Sequence, residues 1–407
     1  MVLTSADSRA GDARSETVIR RLVLVVGAVV FLDTMFYAVI SPLLPQLTHD
    51  LRLSKLSAGL MTAGYPIGML VAALPGGILA ARVGPRLTVM LGLLLLACST
   101  VAFGLVHSAA ALDLARIVEG IGGACSWAGG IAWIVEAAPV DRRGEMIGRA
   151  VGAAVGGALF GPAIGALASF TGRPVLFCAL AALALGLMAV TRTLPDDGHT
   201  SSQGVRTMVA AIRTRPMVVG LWLMLLPALG SGILNVLGPL RMHRFGASAA
   251  AIGATWLVAA GLEALVAPAV GRVSDRRGRI VPLRVGLAAS AVVLVFFTLP
   301  TSAPGLAVVI VCTAVGFGFF WAPAMALLSD AGEAVGLDHA LGAALMNLAW
   351  AGGVILGSAG GGAVAKAFGD VVPTAGAAVV FAVTSAALFR RRSAARDQAL
   401  SRPSRAA

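Results

Sequence analysis

Apolar stretches of roughly twenty residues, broken by short polar segments, recur from one end of this chain to the other. They fall near 22–44, 57–80, 87–106, 110–138, 146–168, 174–193, 217–240, 249–270, 281–300, 304–328, 340–365 and 371–389. Each is long enough for a helix to cross the hydrocarbon of a bilayer, which takes about 20 residues. The pattern predicts an all-α membrane protein with twelve transmembrane helices. The fourth and eleventh stretches are long and predict tilt or extension beyond the bilayer.

Composition supports lipid as the solvent. Of 407 residues, 58% are hydrophobic and 12% charged, where soluble domains carry about a quarter. The 50 glycines suit helices that pack closely in a membrane. Residues 1–20 are polar and carry no signal-peptide pattern. Cys98, Cys125, Cys178 and Cys312 each stand alone in an apolar stretch, without a C-x-x-C pair. They read as small buried hydrophobes, with no disulfide framework and no metal site. No cofactor is expected.

The net charge of +12 does not form one patch, so nucleic acid is not an expected partner. With both termini on the cytoplasmic side, the inside segments hold 24 Lys and Arg and the outside segments 6, with Arg116 alone inside a span. That asymmetry follows the positive-inside rule and predicts a multi-pass protein of the inner or plasma membrane with cytoplasmic termini. One loop dissents: residues 329–339 carry Asp330, Glu333 and Asp338 and no basic residue.

The chain repeats itself. V-I-S-P-L at Val39–Leu43 returns as V-L-G-P-L at Val236–Leu240, Gly77 opens a stretch echoed from Gly271, and G-P-A-I-G at Gly161 is echoed by G-S-A-G-G at Gly357. Three offsets of 197, 194 and 196 residues predict two parallel six-helix pseudo-repeats. The expected organisation is a cytoplasmic tail at 1–19, a six-helix bundle at 20–194, a linker at 195–216, a second bundle at 217–392 and a tail at 393–407. Two such bundles face each other across a midplane cavity, and rocking them exposes it to each side in turn. Both lysines lack the context of a phosphate-binding loop: Lys55 follows Ser54 and Lys366 follows Ala365. An ion gradient is therefore the expected energy source.

Charge inside a span is costly and usually marks a pathway or a pair, at about 2.5–3.5 kcal/mol on insertion scales. Asp33 lies mid-span without a local cation. Arg116 and Glu119 share one face of the fourth span, three residues apart, and can pair. Glu263 lies in the eighth span. A carboxylate withdrawn from water without a cation can exchange a proton near neutrality, so Asp33 is the leading coupling candidate, with Arg116, Glu119 and Glu263 behind it. Tyr37, Trp127, Trp256 and Trp321 are candidates for a cavity wall suited to amphiphilic or cationic solutes.

Several motifs are specific enough to carry a resemblance. Gly271, Asp275, Arg276, Gly278 and Arg279 spell G-x-x-x-D-R-x-G-R, and a degraded first copy keeps Gly77, Arg82, Gly84 and Arg86 with Ala81 in place of the acid. Arg116 and Gly120 spell R-x-x-x-G, with Glu119 before the glycine. Gly148, Gly157, Gly161, Pro162 and Gly165 follow G-x8-G-x3-G-P-x2-G, with Ala166 next. In these features the chain resembles the major facilitator superfamily, in particular its twelve-span drug–proton antiporters, over residues 20 to about 392. The resemblance implies that the two G-x-x-x-D-R loops gate the cytoplasmic face, that Arg116 serves proton coupling and that the fifth-span glycines mark exporters. It implies an acidic residue at Asp33, and it places Asn347 in the cavity where some relatives carry a second acid. The loss of the acid at Ala81 predicts a weakened latch and a less favoured outward-open state.

The expectation is a non-enzymatic secondary transporter, working as a monomer on protons and a small molecule. Proton-coupled efflux of an amphiphilic drug or metabolite leads, proton-coupled uptake is the alternative, and an intramembrane enzyme or a channel is remote.

Overall fold

The computed structural model describes residues 5–139, 142–195, 210, 212–337 and 339–400. Most of the 195–216 linker and the C-terminal end of the tail therefore lie outside the described residues. The described residues form helices and turns: α1 (Ser5–Ala38), α2 (Ile40–Asp50), α3 (Lys55–Val83), α4 (Pro85–Leu105), α5 (Ala109–Ala137), α6 (Arg143–Thr171), α7 (Arg173–Thr191), α8 (Arg215–Arg244), α9 (Ala249–Arg277), α10 (Ile280–Phe296), α11 (Ala303–Glu333), α12 (His339–Ile355), a π-helical turn at Leu356–Gly360, α13 (Gly361–Phe368) and α14 (Val371–Leu400).

Among the described residues, eleven segments are long and apolar enough to cross a membrane. The short helix α10 has 17 residues, about 26 Å at 1.5 Å per residue, and makes the twelfth. All twelve coincide with the apolar runs of the sequence. The first span is α1 plus α2. They part at Val39 because Pro42 has no N–H to give the Ala38 carbonyl. The eleventh is α12, the π-helical turn and α13.

The repeat is also visible in the helix ends. On the side away from the linker, Ser54, Ser108, Ser248 and Ser302 accept from the backbone N–H three residues on, starting α3, α5, α9 and α11. Gly84 and Gly278 hold φ of +93° and +85° at equivalent turns, a region where a Cβ is strained.

Within each half, one glycine-lined helix crosses the first helix at backbone contact. A Cβ on Gly157 or Gly165 would strike the carbonyls of Phe31 or Val39, and one on Gly353 or Gly357 those of Leu225 or Leu229. Lipid supplies no hydrophobic drive between helices, so such close dispersion contacts hold them. Gly148 meets nothing within 4 Å. We therefore expect Gly157→Ala to destabilise the detergent-purified protein by about 1–3 kcal/mol through overpacking. Gly148→Ala should be neutral, or stabilise by up to about 1 kcal/mol. Thermal unfolding measures both.

The halves meet mainly on the side away from the linker. There Gly59 of α3 sits on the Ser358 carbonyl, and Gly253 of α9 on the Pro162 carbonyl of α6. One buried core joins Leu43, Leu44 and Leu47 of α2 to Ile233, Leu234 and Leu237 of α8. On the linker side the first half keeps a separate core around Val26, Val30, Leu93 and Trp133. The molecule is thus closed opposite the linker.

One expectation needs correcting. Cys98, Cys178 and Cys312 are exposed and only Cys125 is buried. Apolar side chains are stable on the lipid face as well as in the core, so their hydrophobic surroundings in sequence did not imply burial.

Candidate translocation site

At the break between α1 and α2, the backbone carbonyls of Phe36 and Tyr37 receive a buried cation. Arg116 Nη1 donates to Phe36 O at 3.0 Å and Nη2 to Tyr37 O at 3.1 Å. The same Nη1 lies 2.9 Å from both carboxylate oxygens of Glu119. Arg116 and Glu119 are 1% and 4% exposed. Their i, i+3 spacing on α5 places both toward the first span. Arg116 therefore fixes the broken first span to the fourth, and Glu119 compensates its charge.

Asp33 lies one turn before Tyr37 and is fully buried. Tyr65 Oη of α3 donates to Asp33 Oδ2 at 2.7 Å, and Trp127 Nε1 of α5 donates to the same oxygen at 3.0 Å. Among the described residues no group donates to Oδ1. Gly123 faces this oxygen; a Cβ there would lie 2.6 Å from Asp33 Oδ1 and 2.5 Å from Tyr65 Oη. Only glycine fits at this position, because α5 packs directly against the carboxylate there. Arg116 also lies 5.6 Å from the Tyr65 ring centre, so the ion pair and the carboxylate share one aromatic neighbour.

The second half closes this cluster with Trp350 of α12. Its ring centre lies 5.2 Å from Tyr37 and 6.5 Å from Tyr65, both edge-on, and the two tyrosines are 5.1 Å apart. Trp256 Nε1 donates to Asn235 Oδ1 at 2.9 Å, and Asn235 lies beside Tyr37. Rings and polar groups from both halves thus meet beside Asp33.

The structure brings together Asp33, Arg116, Glu119, Tyr37 and Trp127, with Trp256 linked through Asn235. Asn347 lies one turn before Trp350, partly buried. Glu263 stands apart: its Cγ packs over Gly318 of α11, inside the second half. The Trp321 and Asp275 side chains lie outside the described residues. Sequence reasoning missed Tyr65, Trp350 and Asp113. Asp113 did carry a signal, as an acid within an apolar run one turn before Arg116, and its Oδ1 is buried without a donor. Tyr65 and Trp350 carried none, because nothing in a single helix says which ring faces which partner.

Of the loop residues on the linker side, Arg86 Nη1 donates to Leu194 O at 3.0 Å, while Gly77 and Arg82 are exposed. In the second copy Arg279 Nε contacts Asp330 Oδ2 at 3.3 Å. The acid of the dissenting loop therefore faces the basic loop before it. Gly271 and Gly278 meet nothing nearby, and Arg276 is exposed.

On the opposite side Asp370 gathers three cations. Lys55 Nζ lies 2.5 Å from Oδ1, Arg244 Nη2 contacts Oδ2, and Arg241 Nη1 lies 3.7 Å from Oδ2. Lys55 belongs to the first half, so this cluster ties the halves across the closed face. Burial pushes the Asp370 carboxyl up, but the Lys55 and Arg244 hydrogen bonds and charges outweigh it and hold the group below its usual range.

Two parallel six-helix halves, closed on one face, with a buried carboxylate, an ion pair and aromatic rings at their midplane, form the architecture of a polytopic membrane transporter. The sequence profile of the Major Facilitator Superfamily matches residues 26–337 and 228–406, and the chain belongs to that family. A probable vesicular acetylcholine transporter-B of Danio rerio is 31% identical over 194 residues, 44% of this chain and 39% of that protein. Quinolone resistance protein NorA of Staphylococcus aureus is 25% identical over 189 residues, 46% of this chain and 48% of NorA. The matches therefore span less than half the length of each relative. Among solved structures, a bacterial homologue of the human lysosomal transporter Spinster, inward-facing and unoccupied, shares the fold with a TM-score of 0.72 at 16% identity, over 91% of this chain and 96% of that one. The xylose transporter XylE from E. coli, partially occluded and inward open, gives 0.73 at 15%, over 92% and 98%.

Proposed function

We propose that this chain is a proton-coupled exporter of a small amphiphilic molecule bearing a cationic centre, such as a drug or a secreted metabolite. The observation that carries the reading is Asp33, buried, with Oδ2 held by Tyr65 and Trp127 and Oδ1 unclaimed beside aromatic rings. An ionised carboxylate flanked by rings attracts a cation by charge and by ring quadrupole. A protonated one does not, so proton and cation compete for one group, and competition at a site of alternating access produces exchange.

The distribution of Lys and Arg supports cytoplasmic termini and a cytoplasmic linker, and in this reading the protein acts as a monomer in an inner or plasma membrane. In that orientation the described state faces the cytoplasm. Substrate enters from the linker side and binds ionised Asp33. The Asp370 cluster then parts, and a proton taken up from the far side displaces the substrate outward. Arg116 grips the Phe36 and Tyr37 carbonyls on the span that carries Asp33, so charge at Asp33 bears on the same joint. The linker-side loops around Gly84, Arg86, Gly278 and Arg279 close the opposite state. The partial matches to a vesicular acetylcholine transporter and to NorA support a cationic or drug-like substrate and antiport.

The test is lumenal pH in sealed proteoliposomes loaded acidic, with tetraphenylphosphonium and ethidium added outside. We expect saturable proton efflux that accompanies uptake of the compound. Protons moving in the same direction as the compound would overturn antiport in favour of uptake by symport.

A further inference from the structure

A groove of about 680 Å³ opens on the linker side of the second half, away from Asp33. Its wall includes Val219 of α8, Leu327 of α11 and Leu388 of α14, and its lip carries Arg215, Arg277 and Arg279. Helices α8 and α10 both begin at this lip, and the side chains of Thr214 and Arg279 do not cap them. The positive ends of two helix dipoles therefore add to the arginine charge. Asp330 also lines the groove, facing Arg279. Among the described residues neither Arg215 nor Arg277 has an acidic partner. The cationic lip sits at the ends of the apolar spans Arg215–Arg244 and Ala249–Ser274, and Val218 and Trp222 of α8 are exposed further along.

We propose that this groove binds an anionic phospholipid from the linker-side leaflet, its phosphodiester held at Arg215 and Arg277 and an acyl chain lying along Val219, Leu327 and Leu388. A free phosphate would use the arginines but not the wall. A neutral lipid would use the wall but not the net charge. An anionic phospholipid uses both, since basic residues near a membrane surface attract such headgroups and the wall accepts hydrocarbon. No part of this site depends on the proton-coupled export proposed above.

The experiment is native mass spectrometry of the full chain in a neutral detergent, titrated with phosphatidylglycerol or with phosphatidylcholine of the same chains. One phosphatidylglycerol per protein should be retained in preference to phosphatidylcholine. Arg215→Gln with Arg277→Gln should weaken it about thirtyfold, from the contribution of two basic residues at a membrane surface. Val219→Trp fills the groove and leaves both arginines, and it should also lose the lipid. Equal retention of the two lipids, unchanged retention in either variant, or displacement by millimolar inorganic phosphate would each overturn the assignment. Elution volume and helical content show that each variant is folded.

Discussion

Asp33→Asn is expected to bring substrate-driven proton movement down to the background of empty vesicles while leaving the protein folded. Asparagine has nearly the shape of aspartate, and its carbonyl can still accept from Tyr65 and Trp127, the two donors that now converge on Oδ2. What it lacks is charge, and a site for a proton. Losing a charged hydrogen-bond partner of about 1.5–3 kcal/mol should weaken cation binding about ten- to hundredfold. Thermal stability should fall by no more than about 1–3 kcal/mol: Tyr65 and Trp127 keep their acceptor, while the new amide N–H at the Oδ1 position has none among the described residues. Glu119→Gln gives the contrast. It leaves the Arg116 guanidinium buried without its counter-charge, which costs about 3–5 kcal/mol when a buried pair is broken, so its first effect should be on unfolding. Full exchange by Asp33→Asn, measured by lumenal pH, would remove Asp33 from the coupling role.

Asp370→Asn is expected to open the face opposite the linker. The carboxylate is buried and faces Lys55, Arg241 and Arg244, so neutralising it leaves three cations against one another across the joint between the halves. Lys55 and Arg244 are 28% and 52% exposed, and water screens part of that repulsion. The closed face should lose about 2 kcal/mol, a roughly thirtyfold shift in the balance of states. Spin labels at His49 and Phe368, one in each half and both exposed, should move apart in the variant once the four native cysteines are replaced. The pH dependence has a definite sign. Because the closed state holds the Asp370 carboxyl below the ordinary value of 3.8, its contribution is complete above that value and is lost as pH falls through the depressed one. The label distance in the wild type should therefore be constant from about pH 8 to pH 5. A distance that changes between pH 6 and 8 in the wild type, and no longer does so in Asp370→Asn, would make Asp370 a proton switch instead of a permanent latch.

The latch was missed in the sequence because its members lie at the start of α3, the end of α8 and the turn before α14. Lys55 and Asp370 are 315 residues apart, and each looked like an ordinary loop charge. The Arg116–Glu119 pair was legible because its partners share one helix face, where spacing alone brings them together. The fifth-span motif was legible as a spacing but not as a set of contacts. Gly157, Gly161 and Gly165 meet the first span, while Gly148 meets nothing.

The twelve spans, their division into two repeats and the buried charges were written in the sequence itself, because lipid demands about twenty apolar residues per crossing and penalises each charge within one. The capping serines 194 residues apart, Ser54 with Ser248 and Ser108 with Ser302, carry the same duplication. Only the tertiary structure decided which face of each helix turns inward. In water an apolar stripe points to the core, but in a bilayer both faces are apolar, so rotation is set by packing and polar contacts between helices. For that reason Asp33 could be named from the sequence alone, whereas its contacts with Tyr65 and Gly123 and the Trp350 ring beside them required the packed helices.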